Sequence, residues 1–128
     1  MTDKRNVQGA IEFTIETVNE SSATGLMPIR QDMLNPYGTV HAGALIWFAD
    51  VIATTLVLAG VEPSEGMESF PVAVTLNAQL LSNRNSGQLV ATAQWVKRGR
   101  RVSTVRTLVA DGDGKVLLDL TSTHVSAK

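Results

Sequence analysis

A carboxylate in the middle of an apolar run is the residue of this sequence best placed to do chemistry: Asp50, in "HAGALIWFADVIATTLVLAG". If the run is helical, its neighbours three and four positions away are Ile46, Trp47, Ala53 and Thr54. Only Thr54 is polar, and no Lys or Arg lies within helical reach. A carboxylate in such surroundings is costly unless it is paired, hydrogen-bonded, protonated or open to a site. Apolar surroundings also raise its pKa towards the range where a carboxylate serves as general base near neutral pH. The plainer alternative is that Asp50 falls on an exposed stripe or caps a neighbouring loop. Just upstream, "NPYGTVHAG" gathers Asn35, His41, Ala42 and Gly43 where the helix should begin. Free N–H groups there can stabilise an oxyanion, and small residues let a carbonyl come close. Asp50 lies about 12 Å of helix rise beyond Ala42. Pairing of helices across a dimer would close that gap.

Other chemistries are poorly supplied. The chain has no cysteine, which excludes disulfides, thiolate metal sites and a cysteine nucleophile. His41 and His124 are too few for a zinc site, and there is no G-x-S-x-G elbow. His124, near the end of the last apolar segment, reads as a polar residue at a strand end. Lys97, Arg98, Arg100 and Arg101 form a basic cluster, with Arg84 at another turn; its plain reading is a solvated hairpin tip. The patch is small, the net charge is −1 and aromatics are 5% of residues, so nucleic acid is not an expected partner.

The elements that must position these residues are legible from periodicity. "AIEFTIETV" puts Ile11, Phe13 and Ile15 on one face and predicts a half-buried strand. "ATGLMPIR" predicts a second, and "QDMLNPYG" a loop before the helix. From residue 71, "PVAVTLNAQLL", "QLVATAQWVKR", "RVSTVRTLVAD" and "KVLLDLTSTHV" alternate with period two, and the joints "NRNSG", "RGR" and "DGDG" predict an antiparallel meander. The class is α+β, one long helix covering an antiparallel sheet. A bilayer span over residues 42–60 is disfavoured, because a central Asp costs about 2.5–3.5 kcal/mol on insertion and no Lys or Arg anchors flank it. A helix apolar on nearly every face is instead buried in a fold or between subunits. Trp47, Phe48, Met33, Met67 and Phe70 are candidates to line an apolar pocket, with core or interface packing as the plainer role.

These residues resemble a family. Asn35, Gly38 and "HAGALIWFAD" are similar to the signature of hotdog-fold acyl-CoA thioesterases of the phenylacetate-pathway and 4-hydroxybenzoyl-CoA type. "VTLNAQLL" and "SGQLVATAQWVKRGRRVSTVRTLVADGDGKVL" are similar to that family's sheet, so the resemblance spans nearly the whole chain. It implies a hotdog fold, with dimers or dimers of dimers that pair their sheets edge to edge and hold active sites between subunits. It implies that Asp50 is the catalytic carboxylate, as general base or nucleophile, and that the Ala42 amide polarises the thioester carbonyl with Gly43 beside it. Asn35 would place the carbonyl or the water, His41 would be positional, and Thr54 would hold the nucleophilic water. Arg84, Lys97, Arg98, Arg100 and Arg101 would then clamp the phosphates of coenzyme A, since guanidinium groups bind phosphate oxygens bidentately. Two departures stand out: Ala42 where the signature usually has glycine, and Ala73 where some relatives carry a water-holding serine.

The expectation is therefore a single domain over residues 1–128 with about eight flexible N-terminal residues. It acts in the cytoplasm as an acyl-CoA thioesterase and homo-oligomer, needing no cofactor beyond the coenzyme A of its substrate, with no membrane partner. A noncatalytic acyl-CoA-binding hotdog protein is the alternative. A hotdog dehydratase fits less well, because His41 and Asp50 do not match its arrangement.

Overall fold

The computed structural model describes residues 6–58 and 70–126. Its elements in chain order are β1 (Thr14–Val18), β2 (Ser22–Pro28), a 3-10 turn (Gln31–Met33), α1 (Ala42–Val57), β3 (Pro71–Leu80), β4 (Gln88–Lys97), β5 (Val102–Asp111) and β6 (Val116–Ser126). The strands form one six-stranded sheet in the order β1-β2-β4-β5-β6-β3, antiparallel at every junction. The one α-helix among the described residues touches every strand. It is the hotdog arrangement, a sheet curled around one central helix.

Alternation explains the wrap. Along β5, Ser103, Val105, Thr107 and Val109 are buried while their neighbours are more open; along β6, Leu118, Leu120, Ser122 and His124 face inward. Val105, Val109, Leu118 and Leu120 meet Ala44, Leu45, Phe48, Ala49, Ile52, Ala53 and Leu56, the inner face of α1, in one apolar cluster. Close approach of helix and sheet depends on Gly25 of β2, where a Cβ would stand 2.5 Å from Ile52 Cδ1 and 3.0 Å from Phe48 Cε1. A side chain there would have to displace the side chains of Ile52 and Phe48, which flank Asp50 on the helix. No helix among the described residues is long and apolar enough to cross a membrane.

Two sequence expectations need correction. The meander holds only for β4-β5-β6; β3 pairs with β6 at the far edge of the sheet. "NRNSG" is therefore not a hairpin. Asn83 fastens that loop to the segment before the helix, its side chain accepting from Val40 N–H at 2.9 Å and donating to Val40 C=O at 3.1 Å. A short polar joint shows where a strand ends but not which strand is its neighbour. The first strand is also shorter than its alternation predicts. β1 starts at Thr14, Ile15 is 46% exposed, and Ile11 and Phe13 pack on the core from the chain ahead of it. Met67 lies outside the described residues.

Candidate active site

The helix carrying Asp50 starts from a closed loop. Asn35 donates to Thr39 Oγ1 at 2.9 Å and accepts from Thr39 N–H at 3.1 Å, which folds "NPYGT" into a turn with Gly38 at φ 94°, a left-handed conformation that favours glycine. Both polar ends of the Asn35 amide are thus engaged by the loop. His41 is the N-cap and makes no side-chain capping bond; its N–H donates to Met33 C=O at 3.0 Å. The first N–H groups drawn into the helix are those of Ala44 and Leu45, at 3.0 and 3.3 Å from the His41 carbonyl. Those of Ala42 and Gly43 stand ahead of the ladder, where helix N–H groups have no intrahelical acceptor. A Cβ at Gly43 would meet nothing within 4 Å, so the helix mouth is open. A cavity of about 340 Å³ lies against it, lined by residues 7–11 with Asp32, Met33, His41, Gly43 and Ala44.

Asp50 lies on the outer stripe of α1 that runs through Gly43, Trp47, Asp50 and Thr54. Its residue is partly exposed, yet Oδ1 is buried and has no hydrogen-bond partner among the described residues. Burial pushes its carboxyl above the usual range, opposed by the charge of His124. Thr54 is one turn on and half-buried. Trp47, 45% exposed, stacks edge-on to Phe13 at 4.7 Å. Phe48 and Met33 are core residues, and Phe70 is half-buried.

The residue that sequence reasoning undervalued is His124. It is 1% exposed, and its Nε2 lies 2.8 Å from Ser122 Oγ. Burial pushes its imidazole below the usual range. Asp50 opposes this, as does the Pro71 main chain, which favours the charged form without meeting hydrogen-bond geometry at Nδ1. The signal was present in the sequence: His124 is in phase with Leu118 and Leu120, so the alternation that places those leucines inward places the imidazole inward too.

His124 also lines a second cavity of about 380 Å³, together with Val57, Pro71, Trp95, Arg98, Gly99, Arg100, Arg101 and Ser103. The β4–β5 turn that carries the arginines is fixed by Ser103, whose hydroxyl accepts from Gly99 N–H at 3.1 Å and donates to Gly99 C=O at 3.2 Å. Arg98 stacks 5.1 Å over the Trp95 ring. Among the described residues, no carboxylate pairs with Lys97, Arg98, Arg100 or Arg101. Lys97 does not line the cavity. Arg84 is not part of the group at all: it reaches Asp111 at 3.1 Å and Asp113 at 3.4 Å, at the opposite end of β5. Strand length separates it from the cluster, because β5 runs ten residues from Val102 to Asp111.

Residues 37–118 match the model of the Thioesterase superfamily. The chain belongs to that superfamily. Its reaction class is thioester hydrolysis. The protein named putative esterase PA1618, of Pseudomonas aeruginosa, is 24% identical over 114 residues, 89% of this chain and 77% of that protein. The solved structure of a PA1618 variant aligns with a TM-score of 0.78 over 89% of this chain and 80% of that one. Thioesterase HI1161 of Haemophilus influenzae is 20% identical with a TM-score of 0.78, covering 89% of this chain and 77% of its own. A hypothetical thioesterase of Streptococcus pneumoniae TIGR4, solved with coenzyme A, is 18% identical with a TM-score of 0.79 over 90% of this chain and 85% of its own.

Proposed function

We propose that this chain hydrolyses acyl-CoA thioesters to a free acid and coenzyme A in the cytoplasm, with Asp50 as general base or nucleophile and the N–H groups at the start of α1 polarising the carbonyl. The observation that carries the reading is Asp50: a carboxylate on an apolar helix, without a salt bridge among the described residues, pushed towards neutral pH by burial. In the general-base form, a water oxygen attacks the thioester carbon and one water proton moves to Asp50. Negative charge gathers on the carbonyl oxygen opposite the Ala42 and Gly43 amides. Collapse breaks the C–S bond, and the proton on Asp50 leaves with the thiolate or to solvent. One preorganised oxyanion donor is typically worth about 2.7–4 kcal/mol, and general-base help about 10²- to 10⁴-fold. A thioester is already activated, so the reading needs no metal or cofactor.

Coenzyme A as the carrier is supported by the arginines of the 380 Å³ cavity, which have no carboxylate partner among the described residues, and by the S. pneumoniae neighbour solved with that ligand. The site completes itself between two copies. β3 is an edge strand on which Val72, Val74, Leu76 and Leu80 are each about half exposed; an unpaired apolar edge invites a second strand. Pairing there brings the outer stripes of two helices together and sets Asp50 of one copy against the helix mouth of the other.

Thiol release from a panel of aryl- and alkyl-CoA thioesters, measured for the wild type and Asp50→Ala with folding of both verified, tests the reading. Turnover that falls about a hundredfold or more in the variant supports it. Retained turnover removes Asp50 from the chemistry. Tight binding of CoA esters with no turnover by the wild type replaces the reading with a noncatalytic binding protein.

A further inference from the structure

The sheet has no packing need for an imidazole at position 124. Leu118 and Leu120 fill the same inward row, and burying a ring with an unmatched nitrogen costs stability. Three buried side-chain polar atoms among the described residues lack a partner: Thr107 Oγ1, His124 Nδ1 and Asp50 Oδ1. The last two belong to groups close enough for their charges to act on each other yet too far apart to hydrogen-bond directly. The rest of the imidazole is fixed, because Nε2 is held by Ser122 Oγ at 2.8 Å. Its cross-strand neighbours offer no side-chain partner at Nδ1, and the Pro71 main chain beside the ring falls short of hydrogen-bond geometry there. On β5, Ser103 gives its hydroxyl to Gly99; on β3, Ala73 offers only a methyl group. The ladder is bulged between Ala73 and Thr75 beside it, a device that re-aims side chains next to active sites. His124 lies in the wall of the arginine-lined cavity, which gives the buried ring access to what that cavity admits.

We infer that His124 works with Asp50: its Nδ1 holds the attacking water against the Asp50 carboxylate. The inference rests on the proposed hydrolysis and extends it. When Ser122 donates its hydroxyl hydrogen to Nε2, Nδ1 carries the ring hydrogen. Nδ1–H then donates to the water oxygen while the water donates one proton to Asp50 Oδ1. A lone pair on that oxygen remains for the thioester carbon. The water-holding role that the resemblance gives to Thr54 thus passes to the strand opposite the helix.

Two substitutions separate the ring nitrogens. His124→Gln keeps an amide near Nε2 and with it the Ser122 bond, and it loses Nδ1. His124→Asn places its amide near Nδ1 and gives up Ser122. Kinetics with a CoA thioester and thermal melts should show His124→Gln near the wild-type melting temperature with kcat down about 30-fold or more and KM little changed. His124→Asn should melt lower yet keep a larger share of kcat. A purely structural histidine gives the reverse order; that order, equal losses in the two variants, or His124→Gln within about threefold of wild type overturns the inference. Ser122→Ala, which keeps the imidazole but frees it to turn, should lower kcat several-fold, and an unchanged kcat also counts against it. Asp50→Asn is run alongside. If it abolishes turnover and His124→Gln does not, the inference fails while the hydrolytic reading stands; if the wild type cleaves no thioester, both fail.

Discussion

Asp50 on α1 and His124 on β6 each bury one polar atom that has no hydrogen-bond partner among the described residues, and burial favours the neutral form of both while the charge of each favours the charged form of the other. A carboxyl raised in this way has its charged form penalised by folding.

The pH dependence follows from that sign. The folded pKa of Asp50 lies above its unfolded value, so its ionisation begins to cost stability as pH rises through the unfolded pKa, and the cost is complete above the folded one. Asp50→Asn removes it. The variant is expected to melt at a higher temperature than the wild type near neutral pH, with the difference vanishing in acid, while kcat falls about 10²- to 10⁴-fold. The acid limb of wild-type kcat/KM should lie above the ordinary carboxylate range. Melts across pH and a pH–rate profile check both, and a less stable Asp50→Asn would show that the carboxylate is favourably paired in the folded protein.

The arginines divide by location. Arg98, Arg100 and Arg101 share a cavity with His124, and charge-assisted hydrogen bonds of the kind they offer phosphate contribute about 1.5–3 kcal/mol each. Arg100→Ala and Arg101→Ala are expected to raise KM for CoA thioesters by about tenfold or more with kcat little changed, and the wild-type KM should rise with ionic strength. Arg84→Ala should leave KM unmoved. It strips a partner from Asp111, whose carboxyl is held below the usual range first by the Lys115 N–H and also by Arg84. The readout for Arg84→Ala is therefore a lower melting temperature.

Edge pairing makes a prediction of its own. Val74 is 56% and Leu80 51% exposed on β3, and lysine on a strand edge opposes association. The double substitution Val74→Lys and Leu80→Lys is expected to shift the protein towards monomer by about tenfold or more in dissociation constant. Turnover should fall in parallel, because the proposed site takes its parts from two helices. Light scattering coupled to gel filtration, with activity measured over a dilution series, reads both, and a monomer as active as the assembly would end the intersubunit reading.

Legibility from sequence depended on how local the determinant was. The six strands and the helix follow from alternating and apolar patterns because burial of one face imposes them. The place of β3 beside β6 does not, since pairing is decided by the curl of the whole sheet. Asp50 announced itself as a charge without a partner in an apolar helix. His124 did not, because its significance comes from α1 and β6 meeting across the core, and Arg84 was grouped with the other arginines by charge alone although its partner Asp111 stands 27 positions along the chain.

The N–H of Ala42 can be deleted almost in isolation. Ala42 is the first residue of α1 and His41, the residue before it, has φ −57° and ψ 135°, the extended conformation that a following proline requires. Proline is tolerated at the first helical position because its missing N–H has no intrahelical acceptor there. Ala42→Pro should therefore fold and melt close to the wild type while losing about 10²- to 10³-fold in kcat, the cost of one oxyanion donor. Mixing it with Asp50→Ala under conditions that exchange subunits distinguishes where the parts of a site come from. If the Ala42 amide and Asp50 of one site belong to different copies, each mixed dimer holds one intact site and turnover reappears. If both belong to one copy, every site in the mixture carries a lesion and no turnover returns.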